Sequence, residues 1–413
     1  MNDPVVDPDA LDRLAEVAVR TGVNLQEGQD LVLTAPVEAL PLVRRVAAAA
    51  YRAGAGLVTP ILSDPDVALA RYAHAGDHSF DVAPGWLYGG MAQAFAGGAA
   101  RMAIVAEDPM LLADEDPGKV ARAGKANSIA YKPALEHISN FRINWSICAY
   151  PGQAWAMRMF PDLSPDAAQA RLADAIFAAS RVDQGDAVAR WAEHNASLRE
   201  RTAWLNDHRF AALKYSGPGL DLTVGLADGH EWMGGASQAG NGVICNPNIP
   251  TEEVFTTPHA AKTEGRVRAT KPLSHQGTLI DGIEVEFREG RIVEARATKG
   301  QEVLRKLIDT DDGARRLGEV ALVPHGSPIS QSGLLFYNTL FDENAASHIA
   351  LGQCYSKCFV DGDRLSEAEV TARGGNSSMI HVDWMIGGPE TDIDGVSPDG
   401  NVTPVFRKGE WAV

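Results

Sequence analysis

Apolar positions in the first half of the chain alternate between short continuous runs and helical spacing. Leu11, Leu14, Ala15 and Val17 to Val19 recur at helical intervals behind Asp9, which predicts a capped amphipathic helix over Pro8 to Val23. Asp30-Leu-Val-Leu-Thr-Ala35 and Gly56-Leu-Val-Thr-Pro-Ile-Leu62 predict strands on either side of an Ala- and Arg-rich helix, Val37 to Ala53, that Gly54 ends. Strand, helix and strand in this order imply a βαβ unit and a parallel sheet. Arg101-Met-Ala-Ile-Val-Ala-Glu107 and Ile143-Asn-Trp-Ser-Ile-Cys-Ala149 extend it, with a helix over Pro117 to Ile138 between them. The Lys119, Arg122, Lys125 and Lys132 face of that helix reads as solvated. Pro161 to Val182 has a helical pattern, and the polar Asp183-Gln-Gly-Asp186 is the best linker.

Beyond Gly217 the pattern changes. Apolar runs at Leu220 to Val224, Gly242 to Cys245, Arg266 to Ala269, Thr278 to Phe287 and Arg291 to Ala297 alternate with Gly, Asn, Pro and Asp clusters. Gly282 and Glu289-Gly290 fall at hairpin positions. Helices are expected at Gln301 to Leu307 and in the stretch Phe341 to Tyr355, where Asp342 or Asn344 is a fitting N-cap and Ala345 to Gly352 is helix-compatible. On such a helix His348 and Tyr355 lie two turns apart on one face. The fold class is therefore α/β: an N-terminal parallel-sheet βα domain over residues 1–185, then an α+β domain over residues 186–413.

Composition narrows the function classes. The 413 residues are 45% hydrophobic and 22% charged, as in a soluble globular protein. A formal net charge of -17 argues against nucleic acid or an anionic membrane as partner and suits a site that collects cations. No run of about 20 apolar residues predicts a membrane span, and the first residues lack the pattern of a signal peptide; a cytoplasmic location is expected. Neither GxGxxG nor GxxxxGK[ST] occurs, so the sheet is expected to be scaffold without its own nucleotide. Cys148, Cys245, Cys354 and Cys358 form no CxxC pair and are expected to be buried free thiols.

Candidate chemistry collects in the second half. In Asn248 to Pro258, prolines confine Glu252 and Glu253 to an extended piece, so one glutamate can face a site while its neighbour faces away; a solvated edge is the competing reading. Glu319 opens an apolar strand, where a buried carboxylate must be paired or metal-bound; a surface strand end is the alternative. In Ser378-Met-Ile-His-Val-Asp-Trp-Met-Ile386, alternation puts His381 and Asp383 on one face and Ile380, Val382 and Trp384 on the other. With Glu343, His348 and Tyr355, these groups supply enough carboxylates and imidazoles for two metal ions about 3.5–4 Å apart. A capped helix with a satisfied core histidine is the competing reading of His348.

The sequence resembles the aminopeptidase T / aminopeptidase S family of dinuclear metalloaminopeptidases. The resemblance is carried by Pro250-Thr-Glu-Glu-Val-Phe-Thr-Thr-Pro258, Leu317-Gly-Glu-Val-Ala-Leu-Val-Pro324, Phe336 to Gly352 with Tyr355, and His381-Val-Asp383. It implies metal ligation by Glu253, Glu319, His348, His381 and Asp383, with Glu343 as general base and Tyr355 as the phenol near the reacting carbonyl. It further implies two divalent ions per chain (zinc, cobalt or manganese), peptide substrates with a free N-terminus, and a homodimer. Attack of metal-activated water on the first peptide bond is the reaction implied; a dinuclear amidohydrolase acting on another small amide or dipeptide is the alternative.

Overall fold

Leu31-Val32-Leu33 forms the middle of a four-stranded parallel sheet in the computed structural model, which describes residues 5–275 and 278–412. Strands β1 (Leu31–Pro36), β2 (Val58–Ser63), β3 (Ala100–Val105) and β4 (Trp145–Ala149) lie in the order β2-β1-β3-β4, all parallel. Helices Leu40–Arg52, Gly85–Ala96 and Pro117–Ser139 fall in the crossovers that parallel strands require. β1 is buried at every position but Thr34, as expected of a strand covered on both faces. The first helix is capped by Asp7 rather than Asp9 and runs Pro8–Val17, followed by a π turn at Ala18–Gly22. The Asp183 to Asp186 stretch connects helices Pro165–Ala179 and Ala187–His208, and Arg190 pins it by donating to Asp183 Oδ1 at 2.6 Å and to the Gln184 carbonyl at 3.1 Å.

The chain divides into two compact units, Met1–Asn195 with Ala236–Pro250, and Ala196–Gly235 with Thr251–Val413. The second unit is built on two antiparallel sheets. One has five strands: β5 (Met233–Gly234), β6 (Val254–Thr256), β7 (Leu317–Leu322), β8 (His348–Gly352) and β9 (His381–Met385), in the order β9-β8-β7-β6-β5. The other has eight strands and is centred on Pro258–Arg268, Leu220–Leu226 and Ala212–Gly217. The chain passes from β6 into Pro258–Arg268 across Thr257 alone, so neighbouring residues serve both sheets. Val254, Val320, Ile349, Leu351 and Trp384 from the first sheet share one core with Leu222, Val224 and Phe287 from the second. That packing uses one face of the five-stranded sheet and leaves the opposite face for polar groups.

Of the two predicted hairpin positions, Gly282 instead lies between strands of different sheets, Thr278–Ile280 and Glu284–Arg288, whereas Glu289-Gly290 joins a hairpin. Glu289 and Gly290 take φ of 49° and 75° between paired strands Glu284–Arg288 and Arg291–Arg296. A Cβ on Gly290 would stand 1.9 Å from the Ala260 carbonyl oxygen, so glycine is required there by space as well as by φ. The central stretch differs from expectation. Asn338 caps a short helix, Thr339–Asp342, a 3-10 turn covers Glu343–Ala345, and His348–Gly352 is strand β8. His348-Ile-Ala-Leu-Gly is buried throughout and paired on both sides, so the ladder overrides local helix compatibility. His348 and Tyr355 therefore do not share a helix face. All four cysteines are free and buried, as expected.

Candidate metal centre

The register of the five-stranded sheet assembles the site. Glu319 pairs with Ala350, and Ala350 pairs with Asp383, so these residues form one row across β7, β8 and β9. His348 and Gly352 lie two positions either side of Ala350, and Gly352 pairs with His381. Period-two alternation puts all of them on one face. Phe255 pairs with Ala321, which pairs with His348, so Glu253, two residues before Phe255, reaches that same face from the approach to β6. The alternate positions Val320, Ile349, Leu351 and Trp384 enter the core. Small side chains at Ala321, Ala350 and Gly352 leave room between the carboxylates; a Cβ on Gly352 (φ 105°) would stand 2.1 Å from the Ile380 carbonyl oxygen.

Glu253 and Glu252 are both buried, so the solvated-edge reading fails. Glu252 donates its backbone N–H to Asn344 Oδ1 at 2.7 Å, tying the Glu253 segment to the turn that carries Glu343. Glu319 is 4% exposed and His348 1%, so the surface strand end is also excluded. His348 Nε2 lies 3.1 Å from Glu253 Oε2 and 3.6 Å from Glu319 Oε1, while His381 Nε2 lies 3.6 Å from Glu319 Oε2 and 3.5 Å from Asp383 Oδ1. Two donor groups result: Glu253, Glu319 and His348, then Glu319, His381 and Asp383, with ligand atoms in each within 4.8 Å of one another. Glu319 belongs to both, and its two oxygens face different imidazoles.

Each imidazole is oriented from behind. The Ala346 carbonyl lies 3.2 Å from His348 Nδ1, and the Gln353 carbonyl lies 2.7 Å from His381 Nδ1. A carbonyl only accepts, so both Nδ1 atoms donate and both Nε2 atoms are directed at carboxylates, the arrangement of metal-ligating histidines. Glu253 Oε2 and Asp383 Oδ1 are buried without a hydrogen-bond partner. Buried carboxylates facing imidazole nitrogens at these distances require either protons or a cation between them.

The metal-free titration behaviour has the same cause. Burial would lower the His348 pKa, but the adjoining Glu253 and Glu319 push it well above 6.5. His381 is raised to about 9 against its burial by Asp383 and Glu319. Burial and then the charges of Asp383 and Glu253 raise Glu319 to about 7, whereas Asp383 is lowered because contact with His381 outweighs its own burial. The donor set is carboxylate and imidazole without thiolate, which fits divalent zinc, cobalt or manganese.

Glu343 and Asp383 line a narrow cleft, of about 20 Å³, beside this centre. Burial, then the charges of Glu253 and Asp383, raise the Glu343 pKa well above 4.5. Tyr355 opens the turn after β8, with its ring 4.7 Å from that of His381 and 6.2 Å from that of Phe255. It is 46% exposed. Sequence reasoning missed the carbonyls of Ala346 and Gln353, which carry no side-chain signal, and the small-residue floor, which becomes visible only once cross-strand register is known.

A sheet face carrying two overlapping sets of carboxylate and imidazole ligands defines a metallohydrolase type of centre. The comparisons place it more narrowly. Residues 8–411 match the thermophilic metalloprotease family M29, and the chain belongs to that family. It is 54% identical over 403 residues to "Aminopeptidase T" of Thermus thermophilus, covering 98% of both chains, and 47% identical over 402 residues to "Aminopeptidase 2" of Geobacillus stearothermophilus, covering 97% of both. The solved structure of wild-type AmpT from Thermus thermophilus superposes with a TM-score of 0.93 at 52% identity, covering 98% of this chain and 99% of that one. A dioxygenase from Pseudomonas putida, 12% identical with a TM-score of 0.52, shares the fold alone. The chain is thus a metal-dependent peptide hydrolase. Among the described residues no helix is long and apolar enough to cross a membrane.

Proposed function

We infer that this chain is a metal-dependent aminopeptidase that holds two divalent cations and releases N-terminal amino acids from peptides. The observation that carries the reading is the pair of donor groups sharing Glu319, with Glu253 Oε2 and Asp383 Oδ1 buried against imidazole nitrogens and without a hydrogen bond. Glu253, Glu319 and His348 would hold one ion, and Glu319, His381 and Asp383 the other, with Glu319 common to both groups. When bound, such ions supply Lewis-acid chemistry, polarising a carbonyl and acidifying water. Glu343 accepts the proton of the attacking water and returns it to the leaving amine. The Tyr355 hydroxyl donates to the oxygen on which negative charge develops. The names of the relatives support peptide N-termini as substrate, and none favours another small amide.

A homodimer and a cytoplasmic location belong to the same reading. The first is supported by exposed apolar side chains in the first unit, Trp86 at 81%, Val67 at 68% and Ile129 at 66%. The second is supported by four free thiols, as a reducing compartment would leave them.

The test is direct. Metal-loaded protein should release residues one at a time from the N-terminus of a short peptide, and either a chelator or N-acetylation of the peptide should stop release. Internal cleavage, or hydrolysis indifferent to chelator, would overturn the reading. Tyr355→Phe should lower kcat by about 10²–10³ with little change in KM, since one oxyanion donor is lost. Near-normal kcat with a lowered melting temperature would remove Tyr355 from the reaction.

A further inference from the structure

A second cavity adjoins the chain segments that line the cleft of Glu343 and Asp383. The cleft is bounded in part by Leu273, Glu343 and Met385. Three chain segments lead on from those residues to a cavity of about 180 Å³, lined by Thr270 and Lys271, by Ala345 to Ser347, and by Gly387 to Pro389. Hydrogen bonds tie the segments together: Thr270 N–H donates to the Met385 carbonyl at 2.9 Å, Thr270 Oγ1 to the Gly387 carbonyl at 2.7 Å, and Gly387 N–H to the Ser347 carbonyl at 2.8 Å. The cavity wall is therefore a prolongation of β8 and β9, the strands that carry His348, His381 and Asp383. Met385 to Gly388 spans at most about 10 Å of extended chain, the reach of two or three residues of a bound peptide.

The two spaces differ in charge. Asp342, Glu343 and Asp383 line the first. Among the described residues no Asp or Glu lines the second, which carries Lys271 and His325. His325 is engaged with Ser330 Oγ at 3.0 Å. Lys271 forms no ion pair among the described residues, and its charge acts on Asp342, which lines the first cleft. An unpaired lysine in a cavity without acids, in a chain of net charge -17, marks an anion site.

We propose that this second cavity receives the C-terminal carboxylate of a di- or tripeptide, with Lys271 as the recognition residue. The inference rests on the aminopeptidase reading and deepens it. A short peptide carries an ammonium at one end and a carboxylate at the other, and the two spaces present the opposite charges in that order. Short free peptides are then the preferred substrates, and removing the terminal charge weakens binding.

The experiment compares a tripeptide with its C-terminal amide on metal-loaded enzyme, with an aminoacyl anilide as a substrate that has no C-terminal carboxylate. Wild type should favour the acid over the amide by about 10- to 100-fold in kcat/KM, mostly through KM, as a charge-assisted contact predicts. Lys271→Met should bring that ratio close to one, and Lys271→Arg should keep most of it, with metal content and melting temperature as checks on folding. A wild-type ratio near one overturns the inference even if Lys271→Met fails to fold, as does an unchanged ratio in a folded Lys271→Met. Continued hydrolysis of the anilide would then leave the aminopeptidase reading standing. Failure of wild type to turn over all three substrates would instead remove that reading and the inference with it.

Discussion

Glu319→Ala is expected to lose metal binding and to cut peptide hydrolysis by about 10³-fold or more, because Lewis-acid stabilisation worth several kcal/mol goes with the ions. Glu319 belongs to both donor groups and shows a different oxygen to each imidazole, so its removal strips both sites at once. The stability consequence runs the other way. Without metal, Glu319 is buried close to Glu253 and Asp383, and its own burial and their charges disfavour its ionised form. The metal-free variant should therefore melt at or above the metal-free wild type. Added zinc or cobalt should stabilise wild type by RT ln(1 + [L]/Kd), about 4 kcal/mol at a thousandfold excess over Kd, and leave Glu319→Ala unmoved. Paired melting curves with and without metal check this, and equal stabilisation of both proteins would count against Glu319 as bridge.

Glu343→Gln is expected to separate chemistry from ligation. Glu343 lies on the 3-10 turn before β8, outside both donor groups, yet it lines the cleft together with Asp383. Glutamine keeps its shape and can still accept a hydrogen bond, but it cannot take a proton from water. General acid–base groups contribute about 10²–10⁴-fold, so kcat should fall on that scale while metal content stays at the wild-type value. Loss of metal in this variant would make Glu343 a ligand instead. The contrast with Glu319→Ala is the useful one: one substitution empties the site, the other leaves it loaded and idle.

Much of this arrangement is legible in the sequence, for identifiable reasons. The parallel sheet of the first unit shows itself in apolar runs such as Leu31-Val32-Leu33, separated by helices that have their own period. Period-two alternation places His381 and Asp383 together on β9 and sends Trp384 into the core, as the structure has it. The stretch around His348 misleads because Ala345 to Gly352 is compatible with a helix. Its state is decided by pairing with β7 and β9, which are 26 or more residues away in sequence, and that pairing has no local signature. The same cause hides the floor of the site. Ala321 and Ala350 look like ordinary core alanines until register sets them between Glu253, Glu319, His348 and Asp383. Lys271 and the second cavity are invisible in sequence because they depend on three segments meeting in space.

The central claim is that one carboxylate joins two cation sites on a single sheet face. Native mass spectrometry of the metal-loaded chain tests it most directly, with Glu319→Ala measured beside wild type. The account predicts two divalent ions per wild-type chain and none retained by the variant. A wild-type stoichiometry fixed at one ion whatever metal is supplied, or two ions still held by Glu319→Ala, would contradict it.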